Sequence, residues 1–555
     1  MNIIDWVVMF STLTAVIAYG WWRGRRNRTT DEYLLAGRSM PWYAMALSIM
    51  ATQASAVTFI STTGQAYVDG MRFVQFYFGL PLAMVILSFT AVPVFHRANV
   101  FTAYEYLEQR FDSKTRSLVS GIFLMQRGLA VGIALYAPAV VLSVLLDWSD
   151  QWTTVLMGLV VITYTVGGGI QAITWADFQQ MIIMLCGLLL AFFMAIHLMP
   201  AHVGFSEALE IAGAAGKLNP VTFNFSWADR YNIFSGLLGG MFLALAYFGC
   251  DQSQVQRYLT GKSIAQSRLS LLFNAVAKIP MQFFILLTGA MVFVFFTFEQ
   301  PPMLFHPANL KKIASTSEYA GLAKQYDAAF LERKQAADAL LRDHTAASKE
   351  RYRQAHQSME ATRKDAAKLV DKTTGEKGFN DTNYIFLTFV TKYLPVGIVG
   401  IVLAVILGAA MSTISAEINS LATVSVIDVY KRHIRKNAND EHYLLVSRIA
   451  TAFWGLWAMV TAQQAKNMGS LVEAVNMIGS LFYGGLLGVF VLAIFFKRVG
   501  GTAAFTGVLV GEAAIFTANY LKLTSFLWFN VIGCLVVILT ALLITAIVGE
   551  RRLVK

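Results

Sequence analysis

The sequence predicts an all-α membrane protein with about thirteen transmembrane helices. Of its 555 residues, 56% are hydrophobic and only 14% are charged, and the mean hydropathy is +0.55. Soluble domains carry about 25% charged residues, whereas a helix that spans a bilayer needs about 20 apolar residues in a row. Such runs occupy residues 3–22, 42–66, 73–95, 118–147, 152–166, 174–199, 232–250, 268–299, 395–420, 443–465, 470–496, 502–521 and 525–548.

The positive charges of the chain lie mainly in the short loops between these runs. The net charge is +11, and an excess of Lys and Arg marks the cytoplasmic loops of a membrane protein. With thirteen spans every basic loop falls on one side, which places the N-terminus outside and the C-terminus in the cytoplasm. We therefore expect a multi-pass protein of the inner (plasma) membrane, with no nucleic-acid partner. The basic segments are 23–38, 96–116, 257–268, 431–436, 497–498 and the tail 551–555.

A polar segment interrupts this pattern between residues 300 and 381. It is rich in Ala, Lys, Glu and Arg and has no Pro or Gly from Lys324 to Lys372, a composition that favours helix. The span count places this insertion outside the cytoplasm, and we expect one long helix or a helical hairpin. It serves either as a solvated appendage or as an arm that binds a protein partner.

Hydroxyl groups are unusually dense in the second apolar run. At membrane depth they are costly unless they line a cavity or another helix. A broken helix here would free backbone carbonyls for an ion and amides for a substrate; close helix packing is the alternative. The polar residues are Thr52, Gln53, Ser55, Thr58, Ser61, Thr62 and Thr63.

The seventh run is also discontinuous. Gly236, Gly239 and Gly240 weaken the helix, and the polar Asp251 and Gln252 follow. Two broken spans that lie five spans apart predict two five-helix inverted repeats, with a binding site at the midplane between them. We expect a single transporter domain over residues 1–555, with its repeats in 42–199 and 232–496 and extra helices at 3–22, 502–521 and 525–548.

A small, hydroxyl-rich face marks the ninth run. Ala409, Ser412, Thr413 and Ala416 recur at i, i+3, i+4 and i+7, so they share one face of a helix. A hard cation such as sodium prefers oxygen ligands, which hydroxyls and freed carbonyls supply. Close packing of helices through small residues is the alternative interpretation.

Three ionisable residues lie within or beside apolar runs and are candidates for function. Asp177 either takes part in a site or stabilises a helix N-terminus. Arg127 either extends to the cytoplasmic surface or faces the cavity and pairs with an anionic substrate. Glu417 is expected to serve a cytoplasmic gate or to meet solvent.

Enzyme motifs are absent from the sequence, which contains no GxSxG, no HExxH and no phosphate-binding loop. The three consecutive glycines at 167–169 predict a turn between spans. We therefore expect a transporter and not an enzyme.

Several stretches resemble the sodium/solute symporter family, whose members carry sugars, proline, iodide, monocarboxylates and sialic acids. They read SIMATQASAVTF, TTGQAY, ALYAPAV, GGGIQAITWADFQQ, DQSQVQRYLTGKS and AAMSTISAEINSLATVSVIDVYKRH. The resemblance covers nearly the whole chain apart from the insertion. It implies a leucine-transporter-like fold and sodium-coupled transport.

The resemblance also implies a main sodium site and, as in some members of the family, a candidate second one. The main site would use backbone carbonyls of Ala51, Ala54 and Ala409 with the hydroxyls of Ser412 and Thr413. A second site, present in some members, would use Asp177, Ser412 and Ser415. At a further hydroxyl position of that second site this chain has Ala416, so one or two sodium ions are both compatible with the sequence.

For the solute, the resemblance implies contacts from spans two, three, four and seven. Ser55 and Thr58 match positions that contact sialic acid in its carriers, and Gln75 is a companion to them. The expected solute is a sialic acid, a sugar or a related polyol or acid. A sensor without net transport and a passive channel are the alternatives. The further substrate-binding candidates are Arg127, Asp251 and Gln252, and the aromatic gate candidates are Phe76 and Tyr77.

Overall fold

A computed structural model describes residues 1–24, 29–375, 378–465 and 468–548. Part of the basic segment 23–38 and the tail 551–555 lie outside the described residues. The described chain is helical, and its only β pairing is an isolated bridge between Met40 and Gly261. The all-α prediction is confirmed. The α-helices are Ile3–Gly24, Thr30–Leu35, Trp42–Gln53, Thr63–Asp69, Leu80–Phe89, Ala91–Ala98, Ala103–Arg110, Ser113–Leu146, Asp150–His197, Phe205–Ala214, Gly240–Gly249, Gln252–Leu259, Ile264–Phe298, Pro307–Ala314, Ser317–Asp343, Ala346–Thr374, Thr382–Tyr393, Ile398–Val424, Asp440–Ala462, Leu471–Phe495, Gly501–Tyr520 and Phe526–Val548.

Ten helical stretches in the described residues are long and apolar enough to cross a membrane, which makes this a polytopic membrane protein. The longest, Asp150–His197, joins the predicted spans 152–166 and 174–199 into one helical stretch of 48 residues. At 1.5 Å per residue it would measure about 72 Å if straight, far more than the ~30 Å hydrocarbon core. It breaks at Gly169, whose φ of 58° and ψ of −170° are not helical, at the end of the predicted glycine turn.

The break predicted in the second span is present. The helix Trp42–Gln53 ends at Ala54, which has φ −89° and ψ 68°, and helical structure resumes with the π-helical turn Thr58–Thr62. Protein surrounds the hydroxyls on both sides of the break, so their polar groups do not face lipid. The buried hydroxyl residues are Ser48, Thr52, Ser55, Thr58, Ser61, Thr62 and Thr63.

The seventh span is interrupted as well. A π-helical turn, Ser235–Gly239, leads into the helix Gly240–Gly249, and Asp251 is extended before the helix Gln252–Leu259 begins. The glycines allow a close approach to the start of the third span. A Cβ atom at Gly236 would lie 2.0 Å from the Gln75 carbonyl oxygen.

The helix Ile398–Val424, which we call the hydroxyl helix, is the innermost element. Nearly all of its residues are buried, and it packs against Ser113–Leu146, Asp150–His197, Ile3–Gly24 and the Trp42–Gln53 half of the second span. It continues as the π-helical segment Ser425–Ile434. Its small and hydroxyl-bearing residues therefore face other helices on all sides.

The insertion folds as a helical hairpin, formed by Ser317–Asp343 and Ala346–Thr374. One face of it is buried against the end of the helix Ile264–Phe298, where Arg333 donates to the Phe296 carbonyl. Arg363 pairs with Asp381 at 3.0 Å. Of the two expected forms, one long helix or a hairpin, the insertion therefore has the hairpin form, and these two buried cations attach it to the helical core.

We expect the hairpin to lose stability in mild acid. Burial and the nearby Lys217 ammonium lower the pKa of His356 to about 3, below the ordinary value of about 6.5. As the pH falls below about 6.5, the unfolded chain binds a proton that the folded hairpin does not, so the free energy of unfolding decreases. The hydrogen-exchange protection factors of Ala346–Thr374, which are corrected for the intrinsic pH dependence of exchange, should fall between pH 7 and pH 5, and His356→Asn should reduce that fall. The same substitution at the exposed His197 should not, and an equal effect of both would contradict this assignment.

Candidate functional site

A cavity of about 90 Å³ lies at the centre of the helical core. It forms where the break of the second span meets the hydroxyl helix, the third, fourth and seventh spans and the helix Leu471–Phe495. Six of the sequence-predicted site residues line it. The lining consists of Thr52, Gln53, Ser55, Val57, Thr58, Phe76, Tyr77, Gln126, Arg127, Ala134, Leu243, Tyr247, Thr413, Glu417, Val472, Val475, Asn476 and Tyr483.

Arg127 faces this cavity and is only 2% exposed. Its Nη1 donates to Glu417 Oε1 at 2.7 Å, and its Nη2 donates to the Asp251 carboxylate and, at 2.7 Å, to the Tyr483 hydroxyl. The alternative in which Arg127 extends to the cytoplasmic surface is therefore wrong. The expectation that Glu417 meets solvent is also wrong, because Glu417 is buried against this guanidinium.

Asp251 lies behind Arg127 and is fully buried. Its carboxylate also accepts hydrogen bonds from the Tyr483 hydroxyl at 2.8 Å and from Ser253 Oγ at 2.7 Å. It is not among the residues that line the cavity. The structure thus places Asp251 where it fixes the position of Arg127.

The amides of Gln75 and Gln252 lie outside the cavity lining. Gln75 donates to the Tyr231 carbonyl at 2.9 Å and accepts from the Thr222 amide at 2.8 Å. Gln252 donates to the Phe101 carbonyl at 2.9 Å. Both side chains thus connect loops to the helical core in this conformation.

Phe76 and Tyr77 line the cavity next to Phe73. The rings of Phe73 and Phe76 are stacked with their centres 5.5 Å apart, and the Tyr77 ring meets Phe76 edge-on at 4.9 Å. The three rings form a compact aromatic wall on one side of the cavity.

The hydroxyl helix contacts the break of the second span directly. Thr413 Oγ1 donates to the Thr52 carbonyl at 3.1 Å, one residue before the helix Trp42–Gln53 ends. Carbonyls in the last turn of a helix lack intrahelical partners, so oxygen atoms of two elements converge here. The alanines predicted for the main sodium site, Ala51, Ala54 and Ala409, are all fully buried.

Asp177 belongs to a second polar cluster. Its carboxylate accepts from Ser48 Oγ at 2.6 Å, from Ser412 Oγ and from Arg257 Nη1 at 2.7 Å. Asp177 lies eight residues beyond the break at Gly169, past the first turn in which a helix dipole acts. Its carboxylate is therefore stabilised by the side chains of this cluster and not by a helix N-terminus. Ser415 Oγ donates to the Ser412 carbonyl at 3.0 Å.

Arg257 was missed as a site residue because the sequence places it in a basic loop after the seventh span. The structure buries it, with 1% exposure. Only the surrounding polar run DQSQVQRY indicated that this segment turns inward.

The model of the Sodium:solute symporter family matches residues 33–322 and 366–511. The chain belongs to this family. The resemblance found in the sequence is confirmed, and the chain is a sodium-coupled solute transporter and not an enzyme. Residues 323–365, within the hairpin, fall outside the match.

Relatives within the family include two bacterial proteins. The sodium/sialic acid symporter NanT of Aliivibrio fischeri is 26% identical over 97% of this chain and 92% of its own length. The sodium/sialic acid symporter SiaT of Proteus mirabilis is 27% identical over 97% and 93%. A solved structure of a Na+-coupled sialic acid symporter in a substrate-bound outward-open state superposes with a TM-score of 0.77, at 25% identity and 99% coverage of both chains.

We expect Asp177 and Arg257 to stabilise the fold only as a pair. Removing one partner of a buried ion pair costs about 3–5 kcal/mol, because the other charge is left uncompensated. Asp177→Asn and Arg257→Gln should each lower the thermal unfolding midpoint of the purified protein. The double variant should be less destabilised than the sum of the two. Strictly additive losses would show that the two side chains act independently.

Proposed function

We propose that this sodium-coupled symporter carries a sialic acid, a sugar or a related polyol or acid, bound in the central cavity, by alternating access. The observation that carries the proposal is the contact of Thr413 with the Thr52 carbonyl. This contact joins two elements that both contribute to the cavity lining, which supports an ion site and a solute site built from the same two elements. Binding at one site then changes the position of groups at the other, which is the requirement for coupling.

The main sodium ion is proposed to bind between these two elements. Its ligands are carbonyls of Ala51, Ala54 and Ala409 and the hydroxyls of Ser412 and Thr413. Burial of the three alanines and the converging oxygens support this assignment. A hydroxyl now bonded to a carbonyl can instead turn its oxygen lone pairs towards a cation.

A second sodium ion is proposed at Asp177, Ser412 and Ser415. The cluster supplies one carboxylate and two hydroxyl oxygens, which suit a hard cation. In this conformation Arg257 already neutralises Asp177, so an ion there would compete with the guanidinium. Ala416 provides no side-chain oxygen.

The solute is proposed to meet Ser55, Thr58 and Arg127, with Asp251 orienting the arginine. The names of the two bacterial relatives support a sialic acid or a related solute. Gln75 and Gln252 would act through the loops that they hold, and Phe76 and Tyr77 would form the gate. The present cavity of about 90 Å³ is below the ~300 Å³ typical of ligand pockets, so solute entry requires these rings to move.

The proposed architecture has thirteen spans in a leucine-transporter-like fold, with two five-helix inverted repeats and the N-terminus outside. The interruptions of the second and seventh spans support the repeats. The break at Gly169 supports a division of the longest helical stretch into two crossings. The hairpin then lies outside the cytoplasm, where a protein partner could reach it.

Transport separates this proposal from a nutrient sensor and from a passive channel. In proteoliposomes we expect labelled solute to accumulate against its gradient only when an inward sodium gradient is present. An inside-negative potential should increase accumulation, because each charge gains about 2.3 kcal/mol per 100 mV. Binding without any flux would indicate a sensor, and downhill flux that ignores sodium would indicate a channel.

Two hydroxyl substitutions test the main sodium site. Ser412→Ala and Thr413→Ala should each weaken apparent sodium affinity by about tenfold, because each removes an oxygen bonded to a charge. Ser420→Ala is a matched control on the same helix, since Ser420 Oγ bonds only to the Glu417 carbonyl at 2.8 Å among the described contacts. The readout is the sodium concentration for half-maximal uptake. Wild-type sodium dependence in both variants would reject the site.

A further inference from the structure

Two carboxylates form ion pairs with Arg127, the one guanidinium among the residues described as lining the cavity. Arg127 donates from Nη1 to Glu417 and from Nη2 to Asp251, so this buried group has one carboxyl more than it has cations and carries a formal charge of −1 when both carboxyls are ionised. An anionic solute that sought Arg127 would have to displace a resident carboxylate and would be repelled by the other. Like charges brought together at a buried site are strongly unfavourable.

Glu417 is the carboxylate in direct contact with the cavity. It follows Thr413 by one helical turn on the hydroxyl helix, is 4% exposed and belongs to the lining. Its Oε1 accepts from Arg127 at 2.7 Å. Its Oε2 is buried and has no hydrogen-bond partner among the described residues, although buried polar atoms nearly always have one.

Other buried polar atoms of the lining are similarly unpartnered within the described residues. Gln53 Oε1 and Gln126 Oε1 are acceptors, as is Glu417 Oε2, whereas Arg127 Nε is a donor. Three acceptors against one donor match a ligand that donates several hydrogen bonds. Hydroxyl groups do so without carrying charge.

A buried ammonium lies nearby but outside the lining. Lys278 Nζ is 5.4 Å from the centre of the Tyr77 ring, and Lys278 does not line the cavity. The charges that a solute would contact are therefore those of Arg127 and Glu417, backed by Asp251.

We propose that Glu417 sets the charge specificity of this transporter and that its solute is an uncharged polyhydroxyl compound, a sugar or polyol, and not a carboxylate. Hydroxyls of the solute donate to Glu417 Oε2 and to the amide oxygens of Gln53 and Gln126. The inference rests on the proposed function, because it concerns the solute of that same cavity. It narrows the proposed solute classes by excluding the anionic ones.

Matched pairs of solutes test this specificity on the full-length purified chain. The pairs are glucose with glucuronate, galactose with galacturonate, and the methyl ester of N-acetylneuraminate with N-acetylneuraminate, with myo-inositol and mannitol added. The thermal unfolding midpoint is measured against concentration of each compound, in sodium and in potassium. We expect at least one uncharged compound to stabilise the wild type in sodium, and its anionic partner to need at least about a tenfold higher concentration.

Glu417→Gln should shift this preference towards anions by about tenfold or more, because the amide removes the excess charge while it keeps an acceptor oxygen. Glu512→Gln is the matched control. Glu512 is another buried carboxylate, in the helix Gly501–Tyr520 outside the cavity, and its replacement should leave the preference unchanged. The unfolding midpoint without solute shows whether each variant is folded.

Three outcomes would overturn the inference. They are stabilisation of the wild type by an anion at or below the concentration of its uncharged partner, binding of no uncharged compound, and an unchanged preference in a folded Glu417→Gln variant. The first two outcomes are measured on the wild type alone, so they can overturn the inference even if the Glu417→Gln variant does not fold. Equal stabilisation by a solute in sodium and in potassium would contradict the proposed sodium coupling. The preference between uncharged and anionic solutes would be measured in the same experiment and would decide this inference separately.

Discussion

A charge buried at membrane depth has no water to solvate it, so it must find its partner inside the protein. Two guanidiniums of the core obey this constraint. Arg127 is held by Asp251 and Glu417, and Arg257 is held by Asp177. Each cluster joins the interrupted seventh span to the hydroxyl helix, through Glu417 in one and through the Ser412–Asp177 contact in the other.

These shared elements give the proposed coupling a physical basis. The second span reaches the same junction through Ser48, which donates to Asp177, and through the Thr52 carbonyl. An ion or a solute that binds there replaces one set of partners by another. Because the partners lie on different helices, such an exchange alters how strongly those helices hold together, and the two ligands can favour the same conformation.

Polar contacts also hold the C-terminal end of the hydroxyl helix, the end that lies away from the hairpin. Asp428, in the π-helical continuation, accepts from Arg116 at 2.6 Å and from Thr102 at 3.0 Å. At the opposite end, the hairpin attaches to the helix Ile264–Phe298 through Arg333. Arg333 lies within residues 323–365, which fall outside the part of the chain that the family model matches.

The sequence by itself determined the helical class, the apolar runs, the breaks in the second and seventh spans and the helical insertion. Each is a local property of composition, spacing or glycine placement. Only the tertiary structure decided that Arg127 faces inward, that Arg257 neutralises Asp177, that the Gln75 amide holds a loop, and that Thr382–Tyr393 forms a separate helix. Arg127 and Glu417 are 290 residues apart, and such pairings depend on how helices approach in three dimensions. No local pattern encodes that approach. A buried charged residue requires a partner of opposite charge, but the residue's own position in the sequence does not specify which residue that partner is.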